Sequence, residues 1–141
     1  MSEVNKAVIR RLIEECLNQH NAALIPELYG DCIYRAPAAG ELRGEAQRQF
    51  LASVLAAFPD GRWTVEDQVA EGDRVVTRWS FTGTHRAEFA GIAATGKPVA
   101  ITGMCIDRIA DGKIVEEWEE WDTLGMMRQL GVVPAARIEV P

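Results

Sequence analysis

An aspartate at the end of the last predicted strand is the residue best suited to acid–base chemistry. Asp111-Gly112 predicts a tight hairpin, because both central positions of a type I′ turn favour residues that tolerate positive φ angles. The strand that follows alternates between two faces and ends at Asp122, directly before a helix start. The residues predicted to share a face with Asp122 are Ile114, Glu116, Trp118 and Glu120.

Two roles for Asp122 follow from this position, and they are not exclusive. A carboxylate facing a cavity can act as a general base, and burial beside Glu116 or Glu120 would raise its pKa towards the working pH. An Asp directly before Thr123-Leu124-Gly125 is also a good helix cap, because its side chain accepts backbone N–H bonds. Those N–H groups would lower the pKa instead. Both roles stay open on this reasoning.

The other candidate residues would bind or orient a ligand. His85, at the end of the longest predicted strand, could orient a carbonyl group or transfer a proton, although it could also be a half-exposed polar residue. Trp118 lies about 13 Å along the strand from Asp122, a span that suits a flat, multi-ring ligand. The residues predicted to bind substrate are Trp118, Glu120, Tyr34, Phe50, Phe58, Trp63 and Trp79. Each aromatic one could instead lie in the core or at a dimer face.

No metal site is predicted, because the sequence has one credible histidine and no cluster with ligand spacing. The three cysteines are widely separated and lie in apolar contexts. They are therefore interpreted as small buried side chains rather than as disulfides or metal ligands.

Periodicity and turn residues predict the elements that would position these side chains. Helices are predicted from Ser2 onward, over Asn21 to Tyr29 and over Gly44 to Phe58. A brief strand over Cys32 to Ala36 is followed by a predicted loop over Ala38 to Arg43.

Beyond Phe58 the apolar period changes from helical to alternating. Four strands are predicted, over Arg62 to Ala70, Arg74 to His85, Lys97 to Ile109 and Lys113 to Asp122, before a short helix that ends at Gly131. Helices followed by antiparallel strands are typical of an α+β fold in which helices pack on one face of a bent sheet. Such a sheet leaves a concave pocket, where small ligands usually bind.

Bulk properties narrow the class of protein. With 141 residues and 48% hydrophobic content, the chain is expected to form a single domain over 1–141. A net charge of −6 argues against binding to nucleic acid or to an anionic membrane, because both require clustered Lys and Arg. No leader or transmembrane stretch is recognisable, so a cytoplasmic protein with a small ligand is expected.

Several ordered motifs resemble the SnoaL-like polyketide (ester) cyclases. They are AFPD, EGDRVVTRWSFTGTH, ATGK and DRIADGKI, followed by GKIVEEWEEWD and LGMMRQLG. The resemblance implies an NTF2-like cone of three N-terminal helices on a strongly curved, mostly antiparallel sheet, with a short C-terminal helix. It also places the family's catalytic aspartate at Asp122.

The activity implied by the resemblance is that of a cofactor-free enzyme acting on a small apolar or polycyclic carbonyl compound. Asp122 would remove an activated α-proton, and the enolate would close a ring by intramolecular aldol attack. The chain departs from the family pattern at Ala87, Ala94 and Glu120. Glu120 stands where the aldol cyclases carry a histidine, so the chain lacks that substrate-positioning or proton-transferring partner.

Other functions stay open. Epoxide hydrolysis requires an Arg-x-Asp pair on one strand face, whereas Asp107 and Arg108 are adjacent and face opposite ways. Ketosteroid-type isomerisation requires a carboxylate on the first short strand, and the predicted strand from Cys32 to Ala36 contains none. The alternative from another class is a non-catalytic ligand-binding or dimerisation module. Exposed apolar side chains on the outer sheet face would favour a homodimer.

Overall fold

A curved six-stranded sheet forms the frame of the protein in a computed structural model that describes residues 2–37 and 39–133. The strands are β1 (Tyr29–Ala36), β2 (Gly40–Arg43), β3 (Arg62–Glu71), β4 (Arg74–Thr84), β5 (Pro98–Ala110) and β6 (Lys113–Trp121). Their order is β2-β1-β6-β5-β4-β3, and the β1–β6 pair is parallel while the other pairs are antiparallel. The α+β prediction is therefore confirmed, with a mostly antiparallel sheet.

Four α-helices accompany the sheet in the described residues. They are α1 (Ser2–Arg11), α2 (Ile25–Leu28), α3 (Glu45–Ala57) and α4 (Thr123–Leu130). A π-helical segment over Leu12–Leu17 continues α1, and a short 3₁₀ turn over Ala22–Leu24 precedes α2. None of the helices is long and apolar enough to cross a membrane within the part of the chain described.

The first helix packs on β3 and β4 through one apolar stripe. The buried residues of this stripe and its π-helical continuation are Ile9, Leu12, Ile13, Cys16 and Leu17. Asn18 then fixes the helix end to β3, because its side chain accepts from the Trp63 backbone N–H at 2.7 Å and donates to the Trp63 carbonyl at 2.8 Å. These contacts place the helical layer over the concave face of the sheet.

Two predicted boundaries were wrong. The segment Ala38 to Arg43, predicted as a loop, contains strand β2, although Ala38 itself lies outside the described residues. This strand is short and largely exposed, so no alternating pattern revealed it, and it exists through pairing with β1. The predicted helix over Asn21 to Tyr29 is a 3₁₀ turn and one short helix, and β1 already begins at Tyr29.

A β-bulge in β6 reverses the predicted faces of that strand. Ile109 pairs with Ile114 while Arg108 pairs with Glu116, so Val115 is an extra residue on β6. Beyond the bulge, the inward side chains are those of Glu117, Glu119 and Trp121. The prediction that Glu116, Trp118 and Glu120 share an inner face was therefore wrong, because one inserted residue moves every later side chain to the opposite face.

The outer face of the sheet carries paired charges and exposed apolar groups. Glu116 accepts hydrogen bonds from Arg35 and Arg108, each at 2.8 Å. The guanidinium groups of Arg35 and Arg74 both lie over the Trp118 ring, at 5.3 and 5.2 Å from its centroid. The large hydrophobic side chains exposed on this face are Val69 on β3 and Met104 and Ile106 on β5. This face is separate from the concave face that bears the cavity.

Candidate active site

A cavity of about 100 Å³ lies between the concave face of the sheet and the helices. Most of its wall is apolar, formed by α1 with its π-helical continuation, α3 and the inward side chains of the strands. The aromatic residues of the wall are Tyr29, Tyr34, Phe50, Phe58, Trp63, Trp79, Phe81, Phe89 and Trp121. A cavity of this kind suits a small, largely apolar ligand.

Three carboxyl groups interrupt this apolar wall. Asp107 on β5 and Glu117 on β6 lie directly opposite each other in the sheet, and Glu119 is the next inward residue on β6. Asp107 is fully buried and Glu117 is 6% exposed. Among the described residues no lysine, arginine or histidine lines the cavity. Burial without a counter-charge disfavours the ionised form of all three groups.

Glu119 is held by two hydrogen-bond donors. The Tyr34 hydroxyl donates to its Oε1 at 2.9 Å, and the Trp79 indole N–H donates to its Oε2 at 3.2 Å. Burial, followed by the charge of Glu117, raises the pKa of Glu119 to about 8, and the two donors oppose that rise. The group therefore changes protonation state near neutral pH, where a general base works best.

Asp107 and Glu117 form a carboxyl pair. Burial raises the pKa of Asp107 to about 6 and that of Glu117 well above its usual range, where the charge of Asp107 adds to the effect of burial. The Cys105 thiol donates to Asp107 Oδ2 at 3.3 Å, and the carboxyl groups of Asp107 and Glu117 hydrogen-bond each other. The pair therefore holds a proton over a wide range of pH.

The same cluster includes the side chains best able to hold a cation. Single ligand atoms of Cys105, Asp107 and Glu117 all lie within 4.8 Å of one another. The prediction of no metal site was made from sequence spacing, which did not reveal this group because its members come from two strands. Thiolate and carboxylate ligands would suit Zn²⁺, but burial raises the pKa of the Cys105 thiol well above its usual range.

Asp122 lies outside this cavity. Its side chain is exposed and caps α4 by accepting the Gly125 backbone N–H at 2.9 Å. The capping role left open by the sequence is thus present. The predicted inward position of Asp122 was wrong, because the strand ends at Trp121 and the helix N-terminus holds the carboxylate at the surface.

His85 is fully buried but does not line the cavity. Its Nδ1 accepts the Thr95 backbone N–H at 3.2 Å and lies 3.1 Å from the Thr95 hydroxyl. Its backbone N–H also donates to the Lys97 carbonyl. The histidine therefore fixes both ends of the long connection between β4 and β5. Phe89, from that connection, packs against Phe58 and reaches the cavity wall.

The predicted substrate-binding residues divide into two groups. Tyr34, Phe50, Phe58, Trp63 and Trp79 all line the cavity. Trp118 and Glu120 lie on the opposite face of β6, as the bulge requires. Sequence reasoning missed Asp107, Glu117, Glu119 and Trp121. One signal was available: glutamates occupy both faces of β6, so some of them had to lie on the buried side.

The sequence profile of the SnoaL-like polyketide cyclase family matches residues 7–130. The chain belongs to this family. Its fold is accordingly the NTF2-like cone that the resemblance implied. Curated proteins include none with significant sequence similarity to the chain.

Solved structures agree with this family membership. The candidate hydroxylase AclR from Streptomyces galilaeus is 27% identical, with a TM-score of 0.85 over 97% of this chain and 87% of AclR. The candidate polyketide cyclase IdmH from Streptomyces antibioticus is 32% identical, with a TM-score of 0.76 over 90% of this chain and 98% of IdmH. A SnoaL-like protein from Jannaschia sp. CCS1, 23% identical with a TM-score of 0.85 over 94% and 95% of the chains, shares the fold.

Proposed function

We propose that this SnoaL-like protein is a cofactor-free enzyme that removes an activated α-proton from a small carbonyl compound, with Glu119 as the general base. The observation that carries the proposal is a carboxylate on the wall of an aromatic cavity, held by Tyr34 and Trp79, with its pKa raised to about 8. A positioned base of this kind contributes typically about 10²- to 10⁴-fold to the rate. Ring closure by the resulting enolate is the reaction that family membership favours.

The size of the cavity favours a substrate smaller than a polycyclic polyketide. An engineered apolar cavity of about 150 Å³ holds one benzene molecule, and the cavity here is about 100 Å³. An acyclic or small single-ring carbonyl compound therefore fits this structure better than the multi-ring ligand first expected from Trp118, which lies on the outer face.

Two conservative substitutions test the assignment of the base. Glu119→Gln retains the size of the side chain, and the Tyr34 hydroxyl can rotate to accept from the new amide. We expect it to reduce kcat at least about 100-fold, the lower end of what a positioned base supplies. Asp122→Asn should leave kcat unchanged, because Asn caps a helix nearly as well as Asp.

If Asp122→Asn loses activity while Glu119→Gln retains it, Asp122 is the base instead of Glu119. Full activity in both variants would instead exclude carboxylate base catalysis at either position. A screen of small ketones and β-dicarbonyl compounds, by exchange of the α-proton with solvent deuterium, supplies the assay. Ligand binding without exchange of any compound would favour the non-catalytic carrier.

We also propose that the outer sheet face joins two copies of the chain. Val69 on β3 and Met104 and Ile106 on β5 are exposed on either side of β4, on one curved surface. Burying such side chains against a second copy would remove apolar area from water. Light scattering of the purified protein measures the oligomeric state directly.

A further inference from the structure

We propose that the cavity binds a small organic ammonium group, so that the substrate of the proposed reaction is an amino-substituted carbonyl compound. The inference rests on the proposed function only in placing the substrate in this cavity. Binding of the ammonium group itself depends on Asp107, Glu117 and Gln47, not on the base Glu119.

The polar groups of the cavity wall are mostly acceptors. Tyr34 and Trp79 already donate to Glu119, and the Cys105 thiol already donates to Asp107. Asp107 and Glu117 hydrogen-bond each other through the proton that the pair retains, and no other donor among the described residues reaches Asp107 Oδ1. A ligand that brings hydrogen-bond donors therefore meets unfilled acceptor positions on these carboxyl groups.

Gln47 on α3 gives an independent sign of the same need. Gln47 is 3% exposed and lines the cavity, and its Oε1 is a buried acceptor with no partner among the residues described. An unmet buried acceptor costs free energy until a donor reaches it. A primary ammonium group supplies three donors and no acceptor, as the lysine side chain does.

Charge favours a cation over a neutral donor. Asp107, Glu117 and Glu119 line the cavity without any lysine or arginine from the described parts of the chain. The other titratable groups that face them are Tyr29, Cys32 and Tyr34 from β1 and Cys105 from β5, and none is a cation. A bound ammonium group would supply the missing counter-charge.

The aromatic wall suits the same ligand. Faces of Trp, Tyr and Phe attract cations through the ring quadrupole, and cages of such residues recognise organic ammonium ions. Trp63, Trp79 and Trp121 all line the cavity together with the carboxyl groups. Aromatic attraction and ionic attraction therefore act within one small volume.

Binding should release protons. In the free protein, burial keeps a proton on the carboxyl pair, as the raised pKa values of Asp107 and Glu117 indicate. A cation beside the pair favours its ionised form, so the proton leaves as the ammonium group enters. A neutral ligand of the same shape would cause no such release.

The test compares three probes with one carbon chain: n-butylammonium, 1-butanol and butyrate. Isothermal titration calorimetry at pH 7, after treatment with EDTA, in buffers of different ionisation enthalpy measures affinity and proton release together. We expect n-butylammonium to bind about 10- to 100-fold more tightly than 1-butanol, the range that a charged hydrogen bond supplies. Butyrate should not bind, and only the amine should release protons.

Two variants and a matched control locate the binding. Asp107→Asn and Gln47→Leu should each reduce amine affinity at least about tenfold. Glu120→Gln, which changes an exposed carboxylate on the other face of β6, should leave it unchanged. Circular dichroism confirms that each variant is folded, and Gln47→Leu, which adds no polar group, keeps the test valid if Asp107→Asn fails to fold.

Equal affinity for amine and alcohol, no binding of either, or an unchanged affinity in Gln47→Leu would overturn the inference. So would a tightly held metal ion that survives EDTA and occupies the carboxyl pair. None of these results tests Glu119 as the base. If Glu119→Gln loses exchange activity while the wild type binds amine and alcohol equally, the ammonium site is rejected and the proposed function is retained.

Discussion

Glu119→Gln should stabilise the folded protein at neutral pH even though it removes the proposed catalytic group. The pKa of Glu119 rises from 4.5 to about 8 on folding, mainly because of burial. A carboxyl group with a raised folded pKa favours folding when it is protonated. Its contribution is therefore complete below about pH 4.5 and is lost as the pH rises towards 8.

The size of the effect follows from this window. At pH 7 the unfolded carboxyl is ionised while the folded one is still largely protonated, and the pH lies about 2.5 units above the unfolded pKa. At about 1.4 kcal/mol per pKa unit, ionisation costs the wild type roughly 3 kcal/mol at pH 7. Glutamine carries no such cost, and its amide can keep contacts with Tyr34 and Trp79.

Chemical denaturation followed by tryptophan fluorescence measures the difference. The free energies of unfolding of wild type and Glu119→Gln should be similar at pH 4.5, and the variant should become the more stable protein as the pH rises to 8. Glu120→Gln, on the exposed side of the same strand, should run parallel to the wild type throughout. A Glu119→Gln difference that does not change with pH would refute the raised pKa and the argument built on it.

Three further predictions concern the support of Trp79, the cap of α4 and the outer face of the sheet. Gly103→Ala should cost roughly 1–3 kcal/mol of stability, because a Cβ at that position would overlap the Trp79 indole that holds Glu119. The temperature of thermal unfolding and the rate of α-proton exchange should both decrease. Asp122→Ala should cost about 1 kcal/mol through loss of the helix cap, measured by urea denaturation, with kcat unchanged. If the outer face joins two copies, Met104→Glu should convert the dimer into a monomer, as measured by light scattering. A variant whose mass equals that of a wild-type dimer would exclude the outer face as the dimer interface.

The order of elements could be predicted because it depends on local signals. Asp111-Gly112 and Glu71-Gly72-Asp73 mark turns whose central residues have positive φ angles in the structure, at Asp111, Gly112 and Gly72. Alternation marks β4 and β5 clearly, since their inward residues are consistently buried. The family motifs then fixed how these elements assemble.

The inner face of β6 could not be predicted by the same means. In the run VEEWEEW, each face of the strand contains glutamates and one tryptophan, so hydrophobicity does not distinguish the two registers. The extra residue Val115 is apolar and β-branched, like an ordinary strand residue, and nothing local marks it as a bulge. The aspartate resemblance then favoured Asp122, whereas the cavity carries Glu117 and Glu119.

The carboxyl groups on the two faces of β5 and β6 differ in whether a cation is paired with them. On the outer face Arg35 and Arg108 both donate hydrogen bonds to Glu116, which lowers the pKa of that carboxyl. On the inner face the adjacent residues Asp107 and Glu117 have no cation among the described residues, and burial raises their pKa values. Buried carboxyl groups without a counter-charge lower the stability of the folded protein at neutral pH, so stability does not explain their presence. Perturbed pKa values in a cavity are typical of functional sites. The inner carboxyl groups, rather than the exposed cap at Asp122, are therefore where mutagenesis should begin.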